Sequence, residues 1–400
     1  MSRPTLMFYC QHSLGMGHLV RSFALVRELS KQFRVVFLNG GRLPQGLAVP
    51  AGIEIVQLPA LGMREDGSLK CLEANMTLQR AQAIREQLVL RTYAEHRPQA
   101  LVIELFPFGR KKFRNELLPL LEVARKDRAA APTVVCSLRD ILVNDRNDQQ
   151  QHDDRAAKCL DDYFDALLVH TDPGFARLEE SFKPSKDCAT PIHYTGFVVP
   201  HATSGPPAAH RERRILVSAG GGIVGAPLFR AALEAQKLLW PRFKVPMTVV
   251  AGPFLPAEDW RQIQHLSQHV PELTLHRSLP DLASHMDGVR WSLSQCGYNT
   301  AMDILASGVA ALFVPFQRDR ENEQSQRALK LAERGLALSV KSRQPDGTSL
   351  AAAILDLFEF QPGQARLDLD GARNTASIIA DLVNIDRNQA SAIAAGSGVR

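Results

Sequence analysis

Short apolar runs alternate with longer amphipathic stretches along most of this chain. That alternation constrains the fold strongly. Strands buried on both faces read as continuous apolar runs, whereas the helices that cover them show a stripe of period 3.6. In the first half, Leu6–Gln11, Arg34–Asn39, Ile53–Leu58, Ala100–Leu105, Thr133–Leu138 and Ala166–His170 read as strands, and Tyr194–Pro200 closes the series. Apolar spacings of three and four residues predict helices over Leu19–Lys31 and Leu78–His96. A second series follows, with strands at Ile215–Ala219, Met247–Ala251, Leu273–His276, Val289–Ser294, Ala310–Pro315 and Leu336–Val340.

Between the two series, His201-Ala-Thr-Ser-Gly-Pro-Pro-Ala-Ala-His210 has the composition of an exposed connection. The chain has 400 residues, more than one ordinary core serves, so two domains are expected. The fold class is α/β, with two doubly wound Rossmann-like domains facing across a cleft. The expected divisions are an N-terminal domain over residues 1–200, a linker over 201–213 and a second domain over 214–365. An amphipathic C-terminal helix over 366–388, read from Gly371–Asn384, and a flexible tail over 389–400 complete the chain.

Composition narrows the function classes. Lys plus Arg less Asp plus Glu is 47 − 42 = +5, with the basic residues scattered, so dedicated nucleic-acid binding is not required. The six cysteines form no C-x-x-C pair and no cluster with histidine, which argues against a structural zinc or a disulfide framework and for a reducing cytosol. The N-terminus lacks the apolar centre of a secretory signal, and no run approaches the ~20 apolar residues needed to cross a bilayer. A cytoplasmic protein is expected, with peripheral contact at the inner membrane left open.

In an open parallel sheet, ligands collect beyond the carboxyl ends of the strands, so the loops between strand and helix carry the chemistry. Ser13-Leu-Gly-Met-Gly-His18 is the first such loop. It departs from G-x-G-x-x-G at Val20, and no matching acid follows the second strand, which disfavours a nicotinamide cofactor. Gly15 and Gly17 allow a sharp turn, and His18 is either a helix-start residue or a general base facing the cleft. Glu104 ends a strand where it either orients His18 or caps the next helix. The Phe106-Pro-Phe108 and Arg110-Lys-Lys112 segment reads as a buried aromatic cluster under a basic helix or as a membrane-surface contact. Arg139-Asp140 and His170-Thr-Asp172 either bind an acceptor or terminate strands.

In the second domain, Gly220, Gly221 and Gly222 occupy the equivalent first loop and expose N–H groups that suit phosphate oxygens. Ser294-Gln-Cys-Gly-Tyr-Asn-Thr-Ala-Met-Asp303 ends a strand at a small-residue turn, and Asn299 and Thr300 start a helix whose free amides suit a diphosphate. Asp303 follows about one helical turn later, where its carboxylate can accept from a ribose diol. The alternative is an ordinary helix cap followed by a solvent-facing acid.

This ordered set resembles the nucleotide-sugar box of GT-B glycosyltransferases, as in plant UDP-sugar transferases and the bacterial lipid-linked N-acetylglucosamine transferases of peptidoglycan synthesis. Gln295-Cys-Gly297-Tyr-Asn299-Thr300, Asp303, Gly308, Pro315 and Glu323-Gln324 match in order and approximate spacing. Two departures are Gln295, where the plant box has a phosphate-contacting histidine, and Asp303, where it has glutamate. The Gly15-Met-Gly17-His18 loop is similar to that of the peptidoglycan enzyme and of nucleotide-sugar hydrolases. The Glu104–Arg110 segment resembles an uncharacterised bacterial branch of predicted glycosyltransferases.

The resemblance implies GT-B architecture, with Asn299 and Thr300 on the diphosphate, Asp303 on the ribose, Glu323 and Gln324 on the sugar, and the backbone of Arg277, Ser278 and Leu279 at the base. It implies an inverting transfer from a nucleoside-diphosphate sugar, a UDP-sugar by preference, to a hydroxyl of a sugar, lipid or small molecule, in cell-envelope or exopolysaccharide synthesis. No D-x-D-type metal site is evident, and no cofactor is expected. The rivals are a nucleotide-sugar hydrolase of the same fold and a noncatalytic nucleotide-sugar sensor.

Overall fold

A computed structural model describes residues 3–12, 16–44, 47–64, 66–126, 131–142, 146–199, 208–279, 281–317, 322–340, 345–364 and 366–396. The chain divides into two compact units, Met1–Val198 with Leu367–Arg400, and Val199–Arg366.

The first unit runs β1 (Thr5–Cys10), α1 (Gly17–Leu29), β2 (Arg34–Asn39), β3 (Ile53–Gln57), β4 (Leu61–Met63), β5 (Leu69–Cys71), α2 (Leu78–His96) and β6 (Ala100–Glu104). It continues through α3 (Arg114–Lys126), β7 (Thr133–Arg139), α4 (Gln149–Tyr163), β8 (Ala166–His170) and β9 (Ile192–Tyr194). Its seven-stranded sheet has the order β3-β2-β1-β6-β7-β8-β9, every pair parallel. Both faces are buried, which is why the strands read as unbroken apolar runs. Leu6, Phe8 and Cys10 of β1 pack with Phe23 and Val26 of α1, while Met7 and Tyr9 belong to the core that holds Val89 of α2 and Leu117 and Leu120 of α3.

The second unit runs β10 (Glu212–Ser218), α5 (Ala226–Phe243), β11 (Met247–Val250), α6 (Ala257–Ser267), β12 (Leu273–His276), α7 (Leu282–Gly288) and β13 (Val289–Ser294). It ends with α8 (Tyr298–Ser307), β14 (Ala310–Phe313), α9 (Glu323–Glu333), β15 (Leu338–Ser339) and α10 (Gly347–Glu359). Its sheet order is β12-β11-β10-β13-β14-β15, again all parallel. Ile215 and Val217 of β10 pack with Phe229 of α5, Ile263 of α6 and Ile354 of α10 on one face.

Each order reverses direction once, between β1 and β6 in the first unit and between β10 and β13 in the second. At such a reversal the helices leaving the two neighbouring strands diverge to opposite faces, opening a crevice at the strands' carboxyl ends.

Three details differ from the sequence reading. The stretch Tyr194–Pro200 that closes the first series contributes only Tyr194 to a strand, Ile192–Tyr194, because the apolar Phe197-Val198 pairs with the returning chain: Phe197 N–H donates to the Asp368 carbonyl at 2.7 Å, and Val198 bridges Asp370. The β4–β5 hairpin was not anticipated, its strands being three residues each. The last helix, α11, spans Gly371–Gly396, starting later than residue 366 and continuing past 389 where a tail was expected. Helix propensity, not apolar content, decides that extension: Gln389, Ala390, Ala392, Ala394 and Ala395 are good helix formers and all lie in it. Ala376, Ile379 and Val383 of α11 complete the core around α1, so the end of the chain belongs to the first unit.

Candidate functional site

In the first unit, β1 leads into the loop carrying His18, and its neighbour β6 ends at Glu104. His18 is the second residue of α1, where the positive end of the helix disfavours an imidazolium. Its Nδ1 lies 2.6 Å from Oε1 of Glu104. The same carboxylate receives Nη2 of Arg21, one turn further along α1, on Oε1, and Nη2 of Arg110 on Oε2 at 2.9 Å. Glu104 is wholly buried, whereas the His18 side chain keeps 20% of its surface exposed.

Burial alone would raise the Glu104 pKa; its interaction and hydrogen bond with His18, together with the charges of Arg110 and Arg21, reverse this and hold the carboxyl well below its usual range. For His18, burial dominates and, with the two guanidiniums, outweighs the pull of Glu104, lowering its pKa to about 3. An ionised carboxylate can only accept, so Nδ1 carries the proton and the lone pair sits on Nε2. This is a neutral imidazole in one fixed tautomer, the state a general base requires.

In the second unit, the Gly220–Gly222 loop follows β10, and the Gln295–Gly297 turn follows its neighbour β13. Gln295 ties the two together: its N–H donates to the Ser218 carbonyl at 3.2 Å and its Nε2 to the Val224 carbonyl at 3.0 Å. The side-chain amide that stands in the histidine position of the resembling box therefore braces the glycine loop. A Cβ on Gly220 would come 3.5 Å from Oγ1 of Thr300, which brings that loop against the start of α8.

Gly297 is the residue before α8, with extended backbone, and a Cβ there would meet nothing within 4 Å. The approach to the helix start is thus open. Asn299 and Thr300 occupy the second and third positions of α8, whose first intrahelical bond runs from Ala301 N–H to the Gly297 carbonyl at 2.9 Å. Helix-start N–H groups of this kind suit an anion. Asp303 stands one turn on, and its Oδ1 is buried without a hydrogen-bond partner among the described residues. Burial first, then the charges of Asp281 and Asp287, raise its pKa to about 7. A buried acceptor without a donor is costly unless a ligand supplies one.

The other expected residues fall as follows. Gln324 accepts the Phe316 N–H on Oε1 at 3.1 Å, fixing the loop after β14, and Glu323 opens α9. Arg277 donates Nη2 to the carbonyls of Pro253 and Leu255 and stacks 5.2 Å over Trp260, so its side chain ties the β12 and β11 loops together. Ser278 is exposed and Leu279 half-buried beside it. Gly17 opens α1, and Gly15 lies outside the described residues.

His170 is fully buried between Ser137 Oγ at 2.7 Å and Thr195 Oγ1 at 2.9 Å, and Asp172 caps the Gly174 and Asp368 amides, so both serve the fold. Phe106, Phe108 and Phe113 are buried, which removes them as membrane-inserting groups and leaves Lys111 and Lys112 exposed. No helix among the described residues is long and apolar enough to cross a membrane.

Arg21 and Arg327 were not singled out from the sequence, and Arg110 was read only as part of the basic run after β6. Arg21 carries a readable signal, three residues after His18 and hence on the same helical face. Arg327, fully buried on α9, donates to the Cys296 carbonyl at 2.7 Å and lies 5.8 Å over Tyr298, supporting the turn before α8 from below. A cavity of about 200 Å³ beside the loop after β6 has a mixed lining, with Leu61, Ala83 and Phe113 next to Gln82, Lys112 and Asn115. A larger one, about 470 Å³, opens between the sheet and α7, over Arg214, Thr248, Thr274, His276 and His285, and none of the glycine-loop residues lines it.

Residues 217–382 match the glycosyltransferase family 28 C-terminal domain. The chain is 26% identical over 149 residues to the UDP-N-acetylglucosamine–N-acetylmuramyl-(pentapeptide) pyrophosphoryl-undecaprenol N-acetylglucosamine transferase of Lactococcus lactis, covering 37% of this chain and 41% of that protein. The enzyme of the same name from Cupriavidus necator is 30% identical over 156 residues, covering 38% and 43%. The matched part thus spans less than half the length of these relatives. Among solved structures, the calicheamicin glycosyltransferase CalG4 superposes with a TM-score of 0.57 at 18% identity, covering 100% of this chain and 99% of that one. The fold is GT-B, two Rossmann-like units in one chain.

Proposed function

We propose that this protein is an inverting glycosyltransferase that moves a sugar from a nucleoside-diphosphate sugar to an acceptor hydroxyl. The carrying observation is the Glu104-held His18 at the topological switch point of the first unit. A sugar-nucleotide binding module has no use for a neutral imidazole whose tautomer is fixed by a buried carboxylate. The family match, which covers most of the second unit, supports a donor held there by diphosphate and ribose, as do the open start of α8 and the Asp303 Oδ1 that has no partner among the described residues. The relatives named for UDP-N-acetylglucosamine favour a UDP-sugar.

In this reading, the acceptor oxygen gives its proton to Nε2 of His18 and attacks the anomeric carbon. The bond from that carbon to the diphosphate oxygen breaks, and its electron pair leaves with the nucleoside diphosphate. Attack opposite the leaving group inverts the centre. Glu104 stabilises the imidazolium as it forms, while the amides at the start of α8 and in the Gly220–Gly222 loop receive the leaving charge without a required divalent cation. The cavity lined by Gln82, Lys112 and Asn115 offers hydrogen-bonding groups to a hydroxylated acceptor. If that acceptor is lipid-linked, the exposed Lys111 and Lys112 are the groups available to an anionic membrane surface.

The test is a panel of UDP-, TDP- and GDP-sugars with candidate hydroxyl acceptors, read by mass analysis with and without EDTA. Acceptor-dependent, EDTA-resistant release of nucleoside diphosphate with an inverted product is expected. Equal release of free sugar without acceptor would make the protein a hydrolase, and nucleotide binding with neither reaction would make it a sensor.

A further inference from the structure

We propose that Arg110 is a positioning residue for His18: by occupying Oε2 of Glu104 it commits the other carboxylate oxygen to the imidazole Nδ1–H and so keeps Nε2 as the proton acceptor. The proposal deepens the reading of His18 as the base and rests on it, but its first readout does not require turnover.

The loop geometry aims Arg110 at Glu104. Beyond β6 the chain makes a tight turn closed by Gly109 N–H donating to the Leu105 carbonyl at 2.7 Å, and Arg110 itself has a left-handed φ of 60°. Phe113 N–H donates to the Arg110 carbonyl at 2.8 Å, and the buried rings of Phe106, Phe108 and Phe113 anchor the loop on both sides. The guanidinium is thereby folded back onto the end of the strand it has just left, with 12% of its side chain exposed.

Its bonding is unlike that of an arginine kept for stability. Arg85, the contrasting case, is fully buried and spreads its donors over Glu116, Gln11, Tyr9 and the carbonyls of Gly40 and Pro59. Among the described residues, the Arg110 guanidinium makes one hydrogen bond, to Glu104, and its buried Nε has no partner. A buried donor left unsatisfied is a cost, and here the arrangement retains it for a single contact with the carboxylate.

The contact matters because Glu104 has no water-exposed surface. A buried carboxylate with one oxygen uncompensated relieves its cost by taking or sharing a proton, and the nearest exchangeable site is His18. Other titratable groups that feel the Glu104 charge are Cys10 on β1, His12 after it, Cys136 on β7 and His170 on β8. Burial raises Cys10 and Cys136 and lowers His12 and His170, so these four are neutral around pH 7. The balance of the pair then falls to Arg21 and Arg110. Arg21 is enclosed in the helix–sheet interface, whereas Arg110 is the one that can be changed at the loop.

The experiment is nitrogen-detected histidine NMR on the full chain, with wild type, Arg110→Ala, Arg110→Gln and Arg110→Lys, the His18 signals assigned by comparison with His18→Ala. Wild type should show Nδ1 protonated and Nε2 bare from about pH 6 to 8. In Arg110→Ala and Arg110→Gln, His18 should titrate at least about one unit higher or populate both tautomers, and Arg110→Lys should restore most of the wild-type behaviour. With an active donor, kcat should fall at least about tenfold in Arg110→Ala while donor KM stays within about twofold.

Unchanged His18 tautomer and titration in folded Arg110→Ala would overturn the proposal. If that variant does not fold, Arg110→Gln is decisive in the same way. Normal turnover by His18→Ala would instead remove the base assignment and leave the NMR result standing by itself.

Discussion

Gly222 and the carbonyl of Ala251 are packed backbone to backbone: a Cβ on Gly222 would stand 2.1 Å from that oxygen. Gly222 also has φ +87°, and Gly252 makes the reciprocal approach to Gly220 and Gly221. Since backbone cannot swing aside as a side chain can, Gly222→Ala should destabilise the chain by about 1–3 kcal/mol or more and weaken UDP binding. Gly297→Ala, in open space with extended backbone, should stay within about 1 kcal/mol of wild type yet still lose UDP affinity. Thermal unfolding and calorimetry on the two variants separate packing from ligand approach.

Asp303 should report its ligand through pH. Its pKa is raised to about 7, so the folded chain holds the proton more tightly than the unfolded one. The stability this gives is present at low pH and lost as pH rises from the ordinary carboxylate range through about 7. Asp303→Asn should therefore melt higher than wild type at pH 8 while binding UDP about tenfold more weakly. Wild-type affinity should increase across the same interval, as the ionised acid gains acceptor capacity. A variant with unchanged affinity would take Asp303 out of the site.

His18→Ala should lower turnover by about 10²- to 10⁴-fold and leave nucleotide affinity within about twofold, because the side chain acts on the acceptor proton. Glu104→Gln should lie between, with a weakened hold on the tautomer. Steady-state rates beside nucleotide calorimetry check both, and wild-type rates in His18→Ala would end the assignment.

Acid should loosen the first unit through His170. Burial lowers its pKa to about 3, so the unfolded chain takes up a proton that the folded one refuses. Its contribution is intact above the ordinary histidine value, about 6.5, and is lost as pH falls toward about 3. The slope is at most about 1.4 kcal/mol per pH unit, and His18 titrates in the same sense. Urea unfolding at pH 7 and pH 5 should show it, and His170→Gln should flatten the difference. Parallel pH dependences for variant and wild type would contradict this account.

Much of the scaffold was legible because parallel strands leave a plain mark. Arg34–Asn39, Val289–Ser294 and Leu78–His96 were readable to the residue. The β4–β5 hairpin was not, since three-residue strands are too short for a period to register. Candidate residues at the carboxyl ends of strands followed from sheet logic, and the structure brings His18 to Glu104 and Gly220 to Thr300. What spacing could not supply was the bonding around them. Arg110 folds back on Glu104 only because of the turn after β6, and Gln295 reaches Val224 across a gap of seventy-one residues. Likewise Phe106 and Phe108 are indistinguishable in sequence from membrane-facing aromatics until the core is seen to enclose them.

The first unit is closed by α11, whose Ile379 and Val383 fill the space over α1 although the whole second unit intervenes in the chain. A ribosome therefore releases the opening two hundred residues long before the piece that seals them has been made. Until then the apolar flank of α1 has no cover, and a nascent chain halted after the second unit would expose it to chaperones and proteases.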